Sequence, residues 1–170
     1  MIREIHSHPV LVFGCGNTLF GDDGFGPAVI DRLRQDGRIP DDTHVEDVGT
    51  SISDLLFDLS LSVKKPREIC IVDAVDVPGR KPGEIFEISP TDLPMVKRPD
   101  FSMHQFPSIN LLQELQEGAG VSVRILAVQI ARIPEEVQPG LSAEVDAALP
   151  SACAWIEREI FQQKSVSSRE

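Results

Sequence analysis

Cysteine is scarce in this chain and does not pair in any motif. Cys15, Cys70 and Cys153 are far apart, and no C-x-x-C occurs. An odd set of cysteines in mostly apolar surroundings argues against a disulfide framework or a zinc ribbon, and for reduced thiols in a cytoplasmic protein. Basic residues are also in short supply. Sixteen Lys and Arg face 27 Asp and Glu, for a net charge of −11, and no Lys/Arg cluster is present. That weighs against partners made of nucleic acid or anionic membrane, and suits a cationic partner or a metal. No apolar run reaches the roughly 18 residues of a transmembrane helix. The first residues, Met1-Ile2-Arg3-Glu4-Ile5-His6-Ser7-His8, lack the apolar core of a signal peptide.

What is present reads as one α/β domain. The chain has 170 residues, 41% of them hydrophobic, enough for a single core. Residues 1–162 are expected to form that domain and 163–170 a polar, disordered tail. Val10 to Gly14 reads as a buried strand and Ala28 to Gln35 as a helix. Thr43 to Val48 reads as a second strand. A second helix carries the stripe Ile52, Leu55, Leu56, Leu59, with Ser51 or Ser53 as its cap. Glu68 to Ala74 is continuously apolar enough to be a strand buried on both faces. The order β-α-β-α-β implies a parallel sheet with right-handed crossovers. Glu84 to Ile88 alternates and is expected as a short edge strand, antiparallel to the third. Residues 89–102 read as a long loop, Pro107 to Gln116 as a helix, Val121 to Val128 as a core strand and 131–140 as a loop. Ser142 to about Gln162 reads as one final helix. The expected fold is therefore a three-layer α/β/α sandwich, with a twisted, mostly parallel sheet of about five strands and one antiparallel edge strand.

Between the first strand and first helix lies Gly14-Cys15-Gly16-Asn17-Thr18-Leu19-Phe20-Gly21-Asp22-Asp23-Gly24-Phe25-Gly26. A glycine loop between strand and helix is where α/β proteins bind ligands. Gly16 and Gly21 have the spacing of a phosphate-binding loop. Asp22 and Asp23, however, stand where that loop has Lys and Ser/Thr, and two carboxylates repel a triphosphate. The dinucleotide fingerprint fails as well, because Leu19 replaces a glycine. The alternative for the two acids is a cap on the following helix.

Other candidates belong to the same edge of the sheet. Asp73 directly follows the apolar run of the third strand, which places it beside the glycine loop if the two strands are neighbours. Asp76 is in the same neighbourhood, further into the loop. His104, in Ser102-Met103-His104-Gln105, precedes a helix, where a lone histidine is ordinarily a surface or capping residue. Two carboxylates and one imidazole converging from three loops would suit zinc, nickel or a similar divalent ion and leave coordination positions open. No H-E-x-x-H, no G-x-S-x-G elbow and no Cys/His pair at motif spacing is present, so nucleophilic catalysis has no support.

The set Gly14-Cys15-Gly16-Asn17-x-Leu19-x-x-Asp22-Asp23-Gly24-x-Gly26, then Val72-Asp73-Ala74, then Pro82-Gly83-Glu84-Ile85, then His104 before an amphipathic helix, resembles the [NiFe]-hydrogenase maturation proteases. The resemblance runs in order from about Val10 to Leu149. It implies a twisted parallel sheet flanked by helices and an endopeptidase that removes the C-terminal extension of the hydrogenase large-subunit precursor once nickel is installed. It maps the nickel-sensing ligands onto Asp23, Asp73 and His104. Many members carry Glu at the first of these positions. It also matches Asp47 to an acid ahead of a glycine-containing substrate loop, where Val48 departs from the usual Asp-Gly-Gly wording. The wording around Phe20 looks closest to the branch serving deazaflavin-reducing hydrogenases.

The resulting expectation is a hydrolase with Asp23, Asp73, His104 and Asp47 as catalytic candidates, the first three also as metal ligands. Nickel would arrive with the precursor, and no permanently bound cofactor is expected. A non-catalytic, nickel-dependent checkpoint or chaperone for the precursor is the alternative from another class. A nucleotide-binding module using the glycine loop is weaker still.

Overall fold

The computed structural model describes residues 5–92 and 109–162. Its sheet has five strands: β1 (Val10–Cys15), β2 (Thr43–Gly49), β3 (Glu68–Val75), β4 (Ile85–Ile88) and β5 (Ser122–Gln129). Their order across the sheet is β2-β1-β3-β5-β4. The first three pairings are parallel and β4 runs antiparallel to β5. β1, β3 and β5 form the centre, and every residue of β3 is buried, as its apolar run Ile69–Val72 requires, with Glu68 and Asp73 buried alongside.

The expected antiparallel edge strand exists, but its neighbour is β5 and not β3. The reason lies in burial. A central position beside β3 calls for a long apolar strand, and β5 meets that demand over eight residues. β4 has four residues, and its Glu87 is exposed, which suits an edge. The turn after β3 crosses over β5 to reach that edge. Val77 N–H donates to the Gln129 side-chain oxygen at 2.7 Å, and Gly83 N–H donates to the Gln129 carbonyl at 2.8 Å.

Helices cover both faces. α1 (Phe25–Asp36), α4 (Ala143–Ala147) and α5 (Leu149–Ile156) pack on one side; α2 (Ile52–Leu61) and α3 (Ile109–Gln113) pack on the other. The period-2 alternation of the strands divides the core accordingly. Val10, Val12, Cys70 and Val72 face α1 and α5, while Leu11, Phe13, Ile69 and Ile71 face α2 and α3.

Local chemistry adjusts the helix boundaries. α1 ends at Gly37, whose φ of 67° provides the left-handed cap. Ser51 occupies the cap position of α2 without a side-chain capping bond. The stripe of α2 is as expected, with Ile52, Leu56 and Leu59 buried and Leu55 half-buried. The single helix expected from Ser142 onward is broken. Ser142 does cap α4, accepting from Val145 N–H, but Pro150 opens α5 at its first turn and has no N–H to continue the ladder of α4. α5 then widens into a π turn, Glu157–Phe161. The tail expected at 163–170 lies outside the described residues.

At the far end of the sheet from the glycine loop, Arg124 of β5 ties the edge to the last helical turn. Its guanidinium donates to both Glu87 oxygens at 2.7 and 2.9 Å, reaches Glu159 and lies 4.8 Å from the Trp155 ring centre.

Candidate active site

Close approach of backbone to backbone builds the glycine loop. A Cβ on Gly16, whose φ is +133°, would collide with the Asp23 carbonyl; one on Gly26 would collide with the backbone of Cys15 and the Val72 carbonyl. These two glycines let the 3₁₀ turn Gly21–Gly24 and the start of α1 sit directly on the carboxyl ends of β1 and β3. The turn thereby carries Asp23 to the sheet edge.

Asp23 is 5% exposed and accepts a hydrogen bond from Asn17 N–H at 2.9 Å, so the loop's own backbone orients it. Asp73 is 2% exposed. It lies within β3, two residues short of its end and one step beyond the Gly14–Val72 pairing. Alternation puts it on the same sheet face as Cys15 of the neighbouring strand. Burial pushes the Asp73 carboxyl well above the usual carboxylate range, and the Asp23 charge pushes it further. Against them stands the Ala74 N–H, which donates to Asp73 Oδ1 at 2.8 Å. Asp23 and Asp73 are thus brought together, as their sequence contexts predict.

Asp47 is at the same sheet edge but opens elsewhere. It pairs with Gly14, on the α1 face, and is exposed. Its Oδ1 accepts from Gly49 N–H at 2.9 Å, which fixes the turn leaving β2. The register slips there, so that Cys15 pairs with Gly49, and the Gly49 carbonyl accepts from Gly16 N–H at 2.9 Å. Val48, the departure from the family wording, is the residue skipped by this bulge, and its side chain enters the α2-side core. His104 lies outside the described residues. Among the described residues, no three His, Cys, Asp or Glu side chains form a group able to hold a metal.

Sequence reasoning overlooked Cys15, which ends β1 buried at the same sheet edge. Its buried thiol is pushed well above the ordinary thiol range, by burial first and then by the charges of Asp73, Asp47 and Asp23. A thiol held protonated in this way is a poor nucleophile. The available signal was its place between two glycines at the end of an apolar run.

Asp22 and Asp76 each hold a loop in place. Neither Asp22 nor Asp23 caps α1, whose cap position is Gly24 without a side-chain bond. Asp22 instead binds the segment 131–142. Asp76 Oδ1 accepts from the Gln129 side-chain amide at 3.0 Å, which holds the loop after β3.

Known proteins match most of this chain. The family model for hydrogenase maturation proteases matches residues 27–159. A Methanocaldococcus jannaschii protein named for the same family is 36% identical over 89% of this chain and 96% of its own length. Coenzyme F420 hydrogenase subunit delta of Methanothermobacter thermautotrophicus is 35% identical over 91% of this chain and 96% of its own. Among solved structures, the hydrogenase maturating endopeptidase HybD from E. coli superposes with a TM-score of 0.67 at 26% identity, over 88% of this chain and 90% of that one. The [NiFe] hydrogenase maturation protease HybD from Thermococcus kodakarensis gives 0.66 at 28%, over 88% and 97%. An α/β sandwich with a buried carboxylate pair at its sheet edge, matched over most of its length by these proteins, belongs to the hydrogenase maturation proteases, which are peptide-bond hydrolases.

Proposed function

We propose that this endopeptidase removes the C-terminal extension of a nickel-loaded [NiFe]-hydrogenase large-subunit precursor and uses the substrate's own nickel for recognition. The observation that carries the proposal is the meeting of Asp23 and Asp73, both buried, the first from the turn after β1 and the second from β3, its parallel neighbour. A buried pair of like charges is costly without a cation, and a divalent ion delivered by the substrate relieves it. Oxygen donors of this kind, with the imidazole of His104 as the third, match a borderline divalent ion. The metal is cargo of the precursor, and the remaining positions of its shell belong to the precursor's own ligands.

With the metal seated, the scissile bond would lie beside it. Two routes are open to the cut: polarisation of the peptide carbonyl by the metal, or activation of water by the metal or a carboxylate. Asp47, exposed beside the loop, is a candidate for orienting the substrate. The resemblance to the F420 hydrogenase subunit delta supports the branch serving deazaflavin-reducing hydrogenases as the origin of the precursor.

The test is mass spectrometry of the precursor's C-terminus before and after incubation with this protein. Nickel-loaded precursor should lose a C-terminal peptide and nickel-free precursor should keep its full mass. Equal cleavage of both would remove nickel recognition; no cleavage of either would remove the substrate assignment.

A further inference from the structure

The residue just before Asp23 faces the other way. Asp22 is 1% exposed, and its carboxylate accepts four hydrogen bonds: from Ala131 N–H at 2.8 Å, Arg132 N–H at 3.2 Å, Ser142 N–H at 2.7 Å and Ser142 Oγ at 3.0 Å. Both ends of the segment 131–142 are therefore pinned to one side chain. Its middle is stitched to the glycine loop. Phe20 and Gln138 form a parallel bridge, in which Gly21 N–H donates to the Gln138 carbonyl and Gln138 N–H to the Leu19 carbonyl, each at 2.9 Å.

An open groove of about 210 Å³ runs between this segment, the glycine loop and the start of α1. Gly24, Pro27 and Ala28 line one part of it and Leu141 another, and it reaches Asp47. Leu19 and Val137, which flank the bridge in sequence, are 47% and 63% exposed.

We propose that this groove is the subsite that receives the precursor's chain next to the bond to be cut, and that Asp22 is the positioning residue that sets its outer wall. The inference rests on the endopeptidase reading above. A protease of this family has a polypeptide substrate, and an extended chain must pass the carboxylate pair. Thr18, Gly21 and Gly24 of the loop that carries Asp23 line the groove, and Asp47 at its margin stands on the same sheet edge as the carboxylate pair, so a chain lying in it would pass along that loop toward the pair. Its apolar surface fits one aliphatic side chain, and Asp31 and Asp47 at its margin disfavour an acidic one. The chemistry of Asp22 is specific to its task. Four donors converge on a group that has none of its own, so an amide in its place would set N–H against N–H.

The test compares kcat and KM for cleavage of nickel-loaded precursor by the wild type, Leu141→Arg, Asp22→Asn and Ser142→Ala. Leu141→Arg puts a charge into the groove; KM should rise about tenfold or more, with kcat within about twofold, measured well below a thermal midpoint that its lost packing on the core lowers. Asp22→Asn should raise KM in the same way, measured well below its lowered thermal midpoint. Ser142→Ala removes one donor of the four and should raise KM by a few fold, which keeps the latch testable if Asp22→Asn does not fold. A wild-type KM in Leu141→Arg would overturn the groove; a defect confined to kcat in Asp22→Asn and Ser142→Ala would overturn the positioning role. If the wild type itself leaves nickel-loaded precursor intact, the endopeptidase reading fails first and the subsite with it, so the two failures are distinguishable.

Discussion

Two neighbouring aspartates in the glycine loop have opposite duties. Asp22 is satisfied by four donors, whereas the charge of Asp23 bears on Asp73 and opposes its ionisation. Asp73→Asn should therefore stop processing and at the same time stabilise the free protein. The sign follows from linkage. A carboxyl whose folded pKa is raised makes the native state bind more protons than the unfolded one, so its contribution to stability falls as pH climbs from the ordinary carboxylate range through the raised value. The thermal midpoint of Asp73→Asn should be close to that of the wild type near pH ~4 and exceed it at neutral pH, where each pKa unit is equivalent to about 1.4 kcal/mol. A lower midpoint at neutral pH would refute this. Asp23→Asn and His104→Ala should each lower cleavage by about a hundredfold or more while the protein stays folded, as read by circular dichroism and precursor mass. Full cleavage by a variant with any two of the three changes would refute the site.

At the scale of elements, the site depends on how closely β1, β3 and α1 approach. Gly26→Ala would force a methyl group into the backbone of Cys15 and Val72. It should cost about 2–4 kcal/mol in urea unfolding, far more than an ordinary glycine-to-alanine change, and should lower activity because Asp23 moves with the turn. The edge opposite offers a contrast. Arg124→Met removes the fork to Glu87 and the link to Glu159, and should cost about 1–2 kcal/mol with cleavage unchanged. These two variants separate the architecture of the site from the stability of the sheet.

For the whole molecule, the parts visible in the sequence are those set by local patterns. β1, β3 and β5 follow from apolar runs, and the carboxylate pair follows from an acid right after one such run and another in the glycine loop after the first. Other features depend on residues far apart in the chain. The four donors to Asp22 come from Ala131, Arg132 and Ser142, with no local signal at Asp22 to announce them. The same holds for β4, which a short turn suggests as a hairpin partner of β3. Only competition with the longer, more apolar β5 sends it to the far edge. The break at Pro150 was legible, but the continuous apolar stripe of the last helix outweighed it. Val48 shows a third kind of difficulty, since a bulge in the register converts a departure from motif wording into a core residue.

The three buried thiols have one more consequence. All are free and shielded, and burial is the first cause that raises each of them, Cys153 to about 11. The native protein therefore presents almost no thiolate at neutral pH, and alkylating reagents or mild oxidants should find nothing to attack. Labelling must wait for the chain to open. Cys15 ends β1, Cys70 lies in the central strand β3 and Cys153 on the buried face of α5, so the order in which iodoacetamide marks them reports which part opens first. Simultaneous labelling of all three would identify a single cooperative unit, and early labelling of Cys153 would identify the C-terminal helix as the hinge through which the fold comes apart.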